Sequence, residues 1–116
     1  LHHPGFAPLF GPSSRAEVAV SGLVGALPVS GQIDRLAVEE ERVLIVDYKT
    51  NRPPPSTPQE VAPLYLRQLA AYRALLARIY PDREISCALL WTDAAVLMEI
   101  PPALLDAHTP SESTVS

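Results

Sequence analysis

Three apolar-rich stretches occupy the first half of the chain, and each reads as a strand. They are Glu17-Val18-Ala19-Val20 on to Val24, then Val29 to Val38, then Val43 to Lys49. The third opens with Val43-Leu44-Ile45-Val46, a run apolar enough for a central strand covered on both faces. Between the second and third lies a polar turn, Glu39-Glu40-Glu41-Arg42. After the proline-rich loop of residues 50–58 the period changes. Leu66, Leu69, Tyr72, Leu76 and Ile79 recur at helical spacing, which predicts a helix from Pro58 or Pro63 to Tyr80, stopped by Pro81. Ile85 to Thr92 and Ala95 to Ile100 are two more strands joined at Asp93-Ala94, and Pro101 to Ala107 forms a short helix. The order is β-β-β-α-β-β, an α/β sandwich with a mixed sheet. Residues 1–14 are an irregular lead-in pinned by Phe6, Leu9 and Phe10; the folded domain spans 15–107, and 108–116 form a flexible tail.

Composition narrows the classes. At 116 residues, 47% of them hydrophobic and 19% charged, the chain is one folded domain at most. No apolar stretch approaches the ~20 residues that span a bilayer. Cys87 is the only cysteine, which excludes a disulfide framework, a cysteine zinc site and an Fe–S cluster within the chain and fits a reducing compartment, most simply a cytoplasm. The net charge of −4 argues against a free-standing, nonspecific nucleic-acid binder. It leaves room for a nuclease, whose metal-binding carboxylates are acidic by necessity. The opening Leu1-His2-His3-Pro4 lacks an initiator methionine and reads as part of something larger.

The candidate chemistry gathers at the end of the third strand. Lys49 is the only lysine in a chain that uses eight arginines, and it stands two residues from Asp47. An ammonium acts as a point charge on an oxyanion or a water, which a planar guanidinium does not. If Glu40-Glu41 is a two-residue hairpin turn, residues whose numbers sum to 81 are opposed, and Asp34 meets Asp47. Directly opposed residues have Cβ atoms ~5 Å apart on one face. Lys49 shares that face and Tyr48 points away. Two apposed aspartates repel, and a hard divalent cation between them would relieve the repulsion. Mg²⁺ bound by Asp34, Asp47 and the carbonyl of Tyr48 would polarise a phosphodiester and activate water. Lys49 would orient or deprotonate that water, or stabilise the pentavalent phosphate. The plainer reading is a cross-strand pair of surface aspartates neutralised by a neighbouring lysine.

Gly31-Gln32-Ile33-Asp34-Arg35, Asp47-Tyr48-Lys49-Thr50 and Gln68-Leu69-Ala70-Ala71-Tyr72 resemble the GxxDR, DYKT and QLxxY motifs of RecB-type nucleases of the PD-(D/E)XK superfamily. From Phe6 to Pro101 the chain is similar to the C-terminal nuclease domain of AddA helicase–nuclease subunits of the alphaproteobacterial kind. The resemblance implies a restriction-endonuclease-like core and a Mg²⁺- or Mn²⁺-dependent DNA exonuclease. Asp34 and Asp47 would be metal ligands and Lys49 the catalytic lysine. Gln68 and Tyr72, at i and i+4 on one helix face, would help place the lysine or the DNA strand near the metal. The implied partners are single-stranded DNA unwound from a duplex, an AddB-type subunit and the protein's own upstream helicase domains, where ATP would bind; the implied process is double-strand-break repair by homologous recombination. No membrane is involved.

Without the motifs, Tyr72 reads as core packing and Gln68 as a solvated polar residue. Arg35 either touches a phosphate or pairs with Glu39 or Glu41. The family usually carries a histidine ligand on a helix upstream of the first strand; here only His2 and His3 precede it, in a segment without helical pattern. Glu17 is either a third carboxylate near the metal or an edge-strand charge. His108 belongs to the tail and Cys87 to the core. The alternative function is a truncated or non-catalytic nuclease-like scaffold that binds a partner subunit. A Cas4-like exonuclease is excluded by the single cysteine.

Overall fold

The computed structural model describes residues 4–51 and 53–109. Five strands form one sheet in the order β1-β2-β3-β4-β5: β1 Ser14–Val24, β2 Leu27–Val38, β3 Arg42–Lys49, β4 Glu84–Trp91 and β5 Val96–Ile100. The pair β3–β4 is parallel and its connection carries helix α1, Pro63–Ile79; the other neighbours are antiparallel. The sheet is therefore mixed and the layers are α/β, as the apolar pattern predicts.

The central strands are explained by burial. Val43, Leu44, Ile45 and Val46 are each at most 2% exposed, as are Cys87, Ala88 and Leu89 of β4 beside them. A strand covered on both faces has no polar side to show, and its alternation disappears. On one face α1 packs Leu66, Leu69, Tyr72, Leu75 and Leu76 over Ile33, Leu36, Val43, Ile45 and Leu89. Pro63 opens this helix at a position where its missing N–H costs nothing, and Pro81 follows its end. The turn at Pro58–Glu60 is a separate 3₁₀ turn, so of the two predicted starts Pro63 is the one the chain uses.

The other face differs from expectation. Residues 4–10 of the lead-in form a 3₁₀ helix, and β1 begins already at Ser14. Phe6 and Leu9 are buried there against Ala37, Leu44, Val46 and Ala88. This small cluster is what covers the second face of β3 and β4. The side chain of Phe10, and His2 and His3, lie outside the described residues. At the other end α2, Pro102–Asp106, is shorter than predicted. The two described residues of the expected tail are tied to it. The His108 amide donates to Leu105 O at 2.9 Å and the Thr109 hydroxyl to the same carbonyl at 2.8 Å.

The β2–β3 hairpin has the predicted register. Arg35 pairs with Val46, Leu36 with Ile45, Ala37 with Leu44 and Val38 with Val43, and Glu39 N donates to Arg42 O at 2.8 Å. The ladder stops one pair short of Asp34 and Asp47. There β2 parts from β3, and that separation makes the site.

Candidate active site

The site lies where three irregularities meet. On β2, the pairing with β1 keeps one register on either side of a single gap: Ala16 pairs with Arg35 and Val18 with Ile33, and the intervening Glu17 and Asp34 do not pair. Glu17 has φ 55°, a left-handed conformation rare for a residue with a Cβ and costly by roughly 1–3 kcal/mol. Ile33 and Leu36 both belong to the core beneath α1, so side-chain alternation slips by one across this gap. Asp34 sits at the slip. Its carboxylate then does what a backbone carbonyl would do in a continuing ladder: Oδ2 accepts the Tyr48 N–H at 2.8 Å.

On β3 the side chains alternate as predicted. Asp47 is 6% exposed, Tyr48 faces solvent at 41%, and Lys49 returns to the Asp47 side. Lys49 Nζ stands 2.6 Å from Asp47 Oδ2. Burial pushes the Asp47 carboxyl up to about 6, and the adjoining Asp34 carboxylate acts in the same direction, while Lys49 pulls it back. Desolvation outweighs the ion pair. Asp47 thus has the Lys49 ammonium on one side and the Asp34 carboxyl on the other.

On α1, Gln68 and Tyr72 lie on the face turned to β3 and β2. Gln68 Oε1 accepts from Lys49 Nζ at 3.4 Å, and its Nε2 donates to the Tyr72 hydroxyl at 3.5 Å, both at the long end of hydrogen bonding. The two readings of this pair combine: Tyr72 is a core residue, 5% exposed, whose hydroxyl reaches the polar chain. That hydroxyl also explains the glycine that opens the Gly31–Asp34 motif. A Cβ at Gly31 would overlap the Tyr72 oxygen and crowd its ring. Gly31, Asp34, Asp47, Lys49, Gln68 and Tyr72 thus form one connected group.

Other candidates fall outside it. Arg35 pairs with neither Glu39 nor Glu41: its Nε donates to Leu9 O at 3.3 Å, anchoring the lead-in on the opposite face. Glu17 is exposed, and among the described residues no three His, Cys, Asp or Glu side chains converge as a metal cluster. His108 Nδ1 lies 3.0 Å from Leu104 O, far along the chain from the site. Cys87 is fully buried, and burial pushes its thiol up to about 12. Two residues that pattern reading missed also belong to the site. The Tyr65 ring lies 4.3 Å from Lys49 Nζ, and the Tyr65 hydroxyl donates to Asn51 Oδ1 at 3.3 Å. The signal was available: Tyr65 is three residues before Gln68, on the same helix face.

Residues 8–106 match the PD-(D/E)XK nuclease superfamily. The chain belongs to that superfamily. The site residues all lie within the matched span, and the mixed sheet with flanking helices is consistent with a restriction-endonuclease-like core. A solved structure titled "Crystal structure of SSO0001" is similar, with a TM-score of 0.50 and 17% identity over 87% of this chain. At that identity the likeness concerns the fold. The superfamily domain described here spans 45% of that structure's length. No curated protein matches.

The donor set suits a hard divalent ion of the kind PD-(D/E)XK nucleases use. Asp34 and Asp47 offer carboxylate oxygens only, with no sulfur or imidazole among them. The raised Asp47 carboxyl reflects first its burial and then the adjoining Asp34, and a bound cation would favour the ionised form against both.

Proposed function

We propose that this chain is the nuclease domain of an AddAB-type helicase–nuclease and that it hydrolyses DNA phosphodiesters. The nuclease class follows from the superfamily; the finer assignment rests on the motif residues Gly31 to Arg35, Asp47 to Thr50 and Gln68 to Tyr72. The observation that carries it is the Lys49–Asp47 contact of 2.6 Å beside a second carboxylate, with Gln68 against the ammonium. A surface ion pair needs no such surroundings.

Asp34 and Asp47, with the carbonyl of Tyr48, would hold Mg²⁺ or Mn²⁺. Bound there, the ion supplies Lewis-acid polarisation of the phosphoryl group and a more acidic water. The chain's own groups do the rest. Asp47 draws Lys49 Nζ to the carboxylate edge, and Gln68 limits its swing from the helix side. Tyr65 covers the ammonium with an aromatic face, and with Asp47 and Gln68 each taking one Nζ proton the third is left for solvent or substrate. An ammonium fixed in this way orients the attacking water, or offsets charge on the pentavalent phosphorus as the P–O bond to the leaving strand breaks. Tyr72 supports Gln68 and touches no reacting atom.

In this reading the substrate is a single strand fed from an ATP-driven helicase in the same polypeptide, the partner is an AddB-type subunit, and the setting is recombination repair in the cytoplasm. The test is cleavage of single-stranded DNA by the full-length protein under Mg²⁺ or Mn²⁺ titration, with Asp47→Ala and Lys49→Ala variants. Metal-dependent cleavage lost in both supports the assignment. Unchanged cleavage in either variant refutes it, and a full-length protein inert with every metal would favour the partner-binding scaffold instead.

A further inference from the structure

A cleft of about 390 Å³ adjoins the lysine. It is lined by Asn51, the three prolines Pro53 to Pro55, Tyr65 and Trp91. Two of these walls also belong to the site: the Tyr65 ring lies against Lys49 Nζ, and Trp91 is the ladder partner of Lys49 across β3 and β4. The cleft is within the ~300–1,000 Å³ range of small-ligand sites. Its chemistry is unlike that of the carboxylate centre. Proline faces and an aromatic ring offer flat apolar surface. Asn51 spends its carbonyl on the Tyr65 hydroxyl, which leaves its amide hydrogens as donors. The indole N–H of Trp91, buried behind these walls, has no acceptor among the described residues. The one carboxylate on the wall, Glu60, accepts from the amides of Ser56 and Thr57 at 2.9 and 3.3 Å through its Oε1.

We propose that this cleft is a nucleobase subsite. It takes the base of an unpaired nucleotide whose phosphate lies at Lys49, stacked on Tyr65 with its edge at Asn51. Flat apolar walls suit the two faces of a heterocycle, the amide suits its rim, and the ammonium at the cleft's side suits the attached phosphate. Aromatic stacking of this kind tolerates any base, because every base has a π-face. A base in a duplex reaches the cleft only by unpairing, at a cost a single strand does not bear. The site therefore selects single-stranded over duplex substrate. This rests on the nuclease reading above, which the test separates from it.

Ala62 is exposed at the start of α1, lines the cleft, and has extended backbone (φ −55°, ψ 132°) that accepts a large side chain before Pro63. Ala62→Trp fills the cleft while leaving Asp34, Asp47, Lys49 and Gln68 unaltered. The substrates are single-stranded oligothymidylates in which one abasic nucleotide is moved along the strand. Cleavage by the full-length protein is measured in Mg²⁺, and binding in Ca²⁺. In the wild type, an abasic residue at one position relative to the cut lowers binding and cleavage about tenfold. Ala62→Trp cleaves intact and abasic strands alike, at the wild-type abasic rate. The subsite is refuted if no position is sensitive to base removal, or if Ala62→Trp keeps the wild-type sensitivity. Base-sensitive binding without cleavage of any DNA would refute the nuclease reading and leave the subsite standing.

Discussion

The hydroxyl of Tyr72 occupies the space in which a side chain at Gly31 would begin. Two motifs separated by 41 positions of sequence (31 to 72) are therefore one packing unit, and the glycine is required for room. Neither residue touches the carboxylates, yet both determine where Gln68 sits, and Gln68 meets Lys49. Gly31→Ala is expected to force Tyr72 aside and destabilise the domain by ~1–3 kcal/mol, the usual cost of overpacking. Cleavage should fall further than stability explains. Adding Tyr72→Phe removes the overlapping oxygen but not the nearby ring carbons, so the double variant should recover part of the stability and none of the Gln68 contact. A urea double-mutant cycle measures the coupling. Additive effects would show that the two residues are independent.

Lys49 is not replaceable by the cation the chain otherwise prefers. Asp47 Oδ2, Gln68 Oε1 and the Tyr65 ring surround a compact ammonium, and a planar guanidinium reaching the same point would project its fork past them. Lys49→Arg is expected to lose ~10²-fold or more in the cleavage rate, as with removal of other preorganised charge stabilisers. Lys49→Ala should do the same. Both variants should fold, with unchanged circular dichroism, since the lysine contributes little to the core. An Arg variant with near wild-type rate would mean that charge alone suffices.

The parts of this fold legible in the sequence are those fixed by local chemistry. The Glu40-Glu41 turn predicted the hairpin register, and that register is present from Arg35–Val46 to Val38–Val43. The spacing of Leu66, Leu69, Tyr72 and Leu76 predicted the helix that covers it. The break at Asp34 was not legible, because it depends on Glu17 adopting φ 55°, which no pattern of side chains requires. The simplest hairpin opposes Asp34 and Asp47; the actual strand parts there and lends a carboxylate to the Tyr48 amide. The charge of Arg35 suggests Glu39 or Glu41 as a partner within the chain, whereas its Nε donates to a backbone carbonyl of the lead-in.

That segment carries stability. Phe6 is fully buried over Leu44, Val46 and Ala88, and a guanidinium at Arg42 lies 6.0 Å from its ring. Phe6→Ala is expected to cost ~3–5 kcal/mol, as for other buried aromatics. An irregular lead-in without structural role would give a change within about 0.5 kcal/mol. Chemical denaturation of the two proteins decides between them.

Cys87 reports on the same core. It is wholly buried in β4 with its thiol pushed up to about 12, so thiolate is scarce at neutral pH and reagents cannot reach it. A disulfide-exchange reagent should label the native protein only through opening, at a rate that rises with urea in step with unfolding. Phe6→Ala should accelerate it. Stoichiometric labelling of the native protein within minutes would contradict this burial.

Asp47 makes stability depend on pH in the opposite sense to an ordinary ion-paired aspartate. Its carboxyl is raised from 3.8 to about 6 in the fold, so between those values the folded state binds more protons than the unfolded chain. Stability without metal therefore falls as pH rises through 4 to 6, by on the order of 2–3 kcal/mol from this group. Asp47→Asn removes the dependence and should be the more stable protein at pH 7 in chelator. Divalent metal reverses the balance by favouring the ionised form. Mg²⁺ should raise the melting temperature of the wild type at pH 7.5, do so much less at pH 5, and leave Asp47→Asn almost unaffected at both. The measurement is the difference in urea midpoint between wild type and Asp47→Asn across pH 4–8, which cancels the other titrating groups. A difference constant with pH would mean that Asp47 titrates normally, and the argument that burial holds its carboxyl up would fall with it.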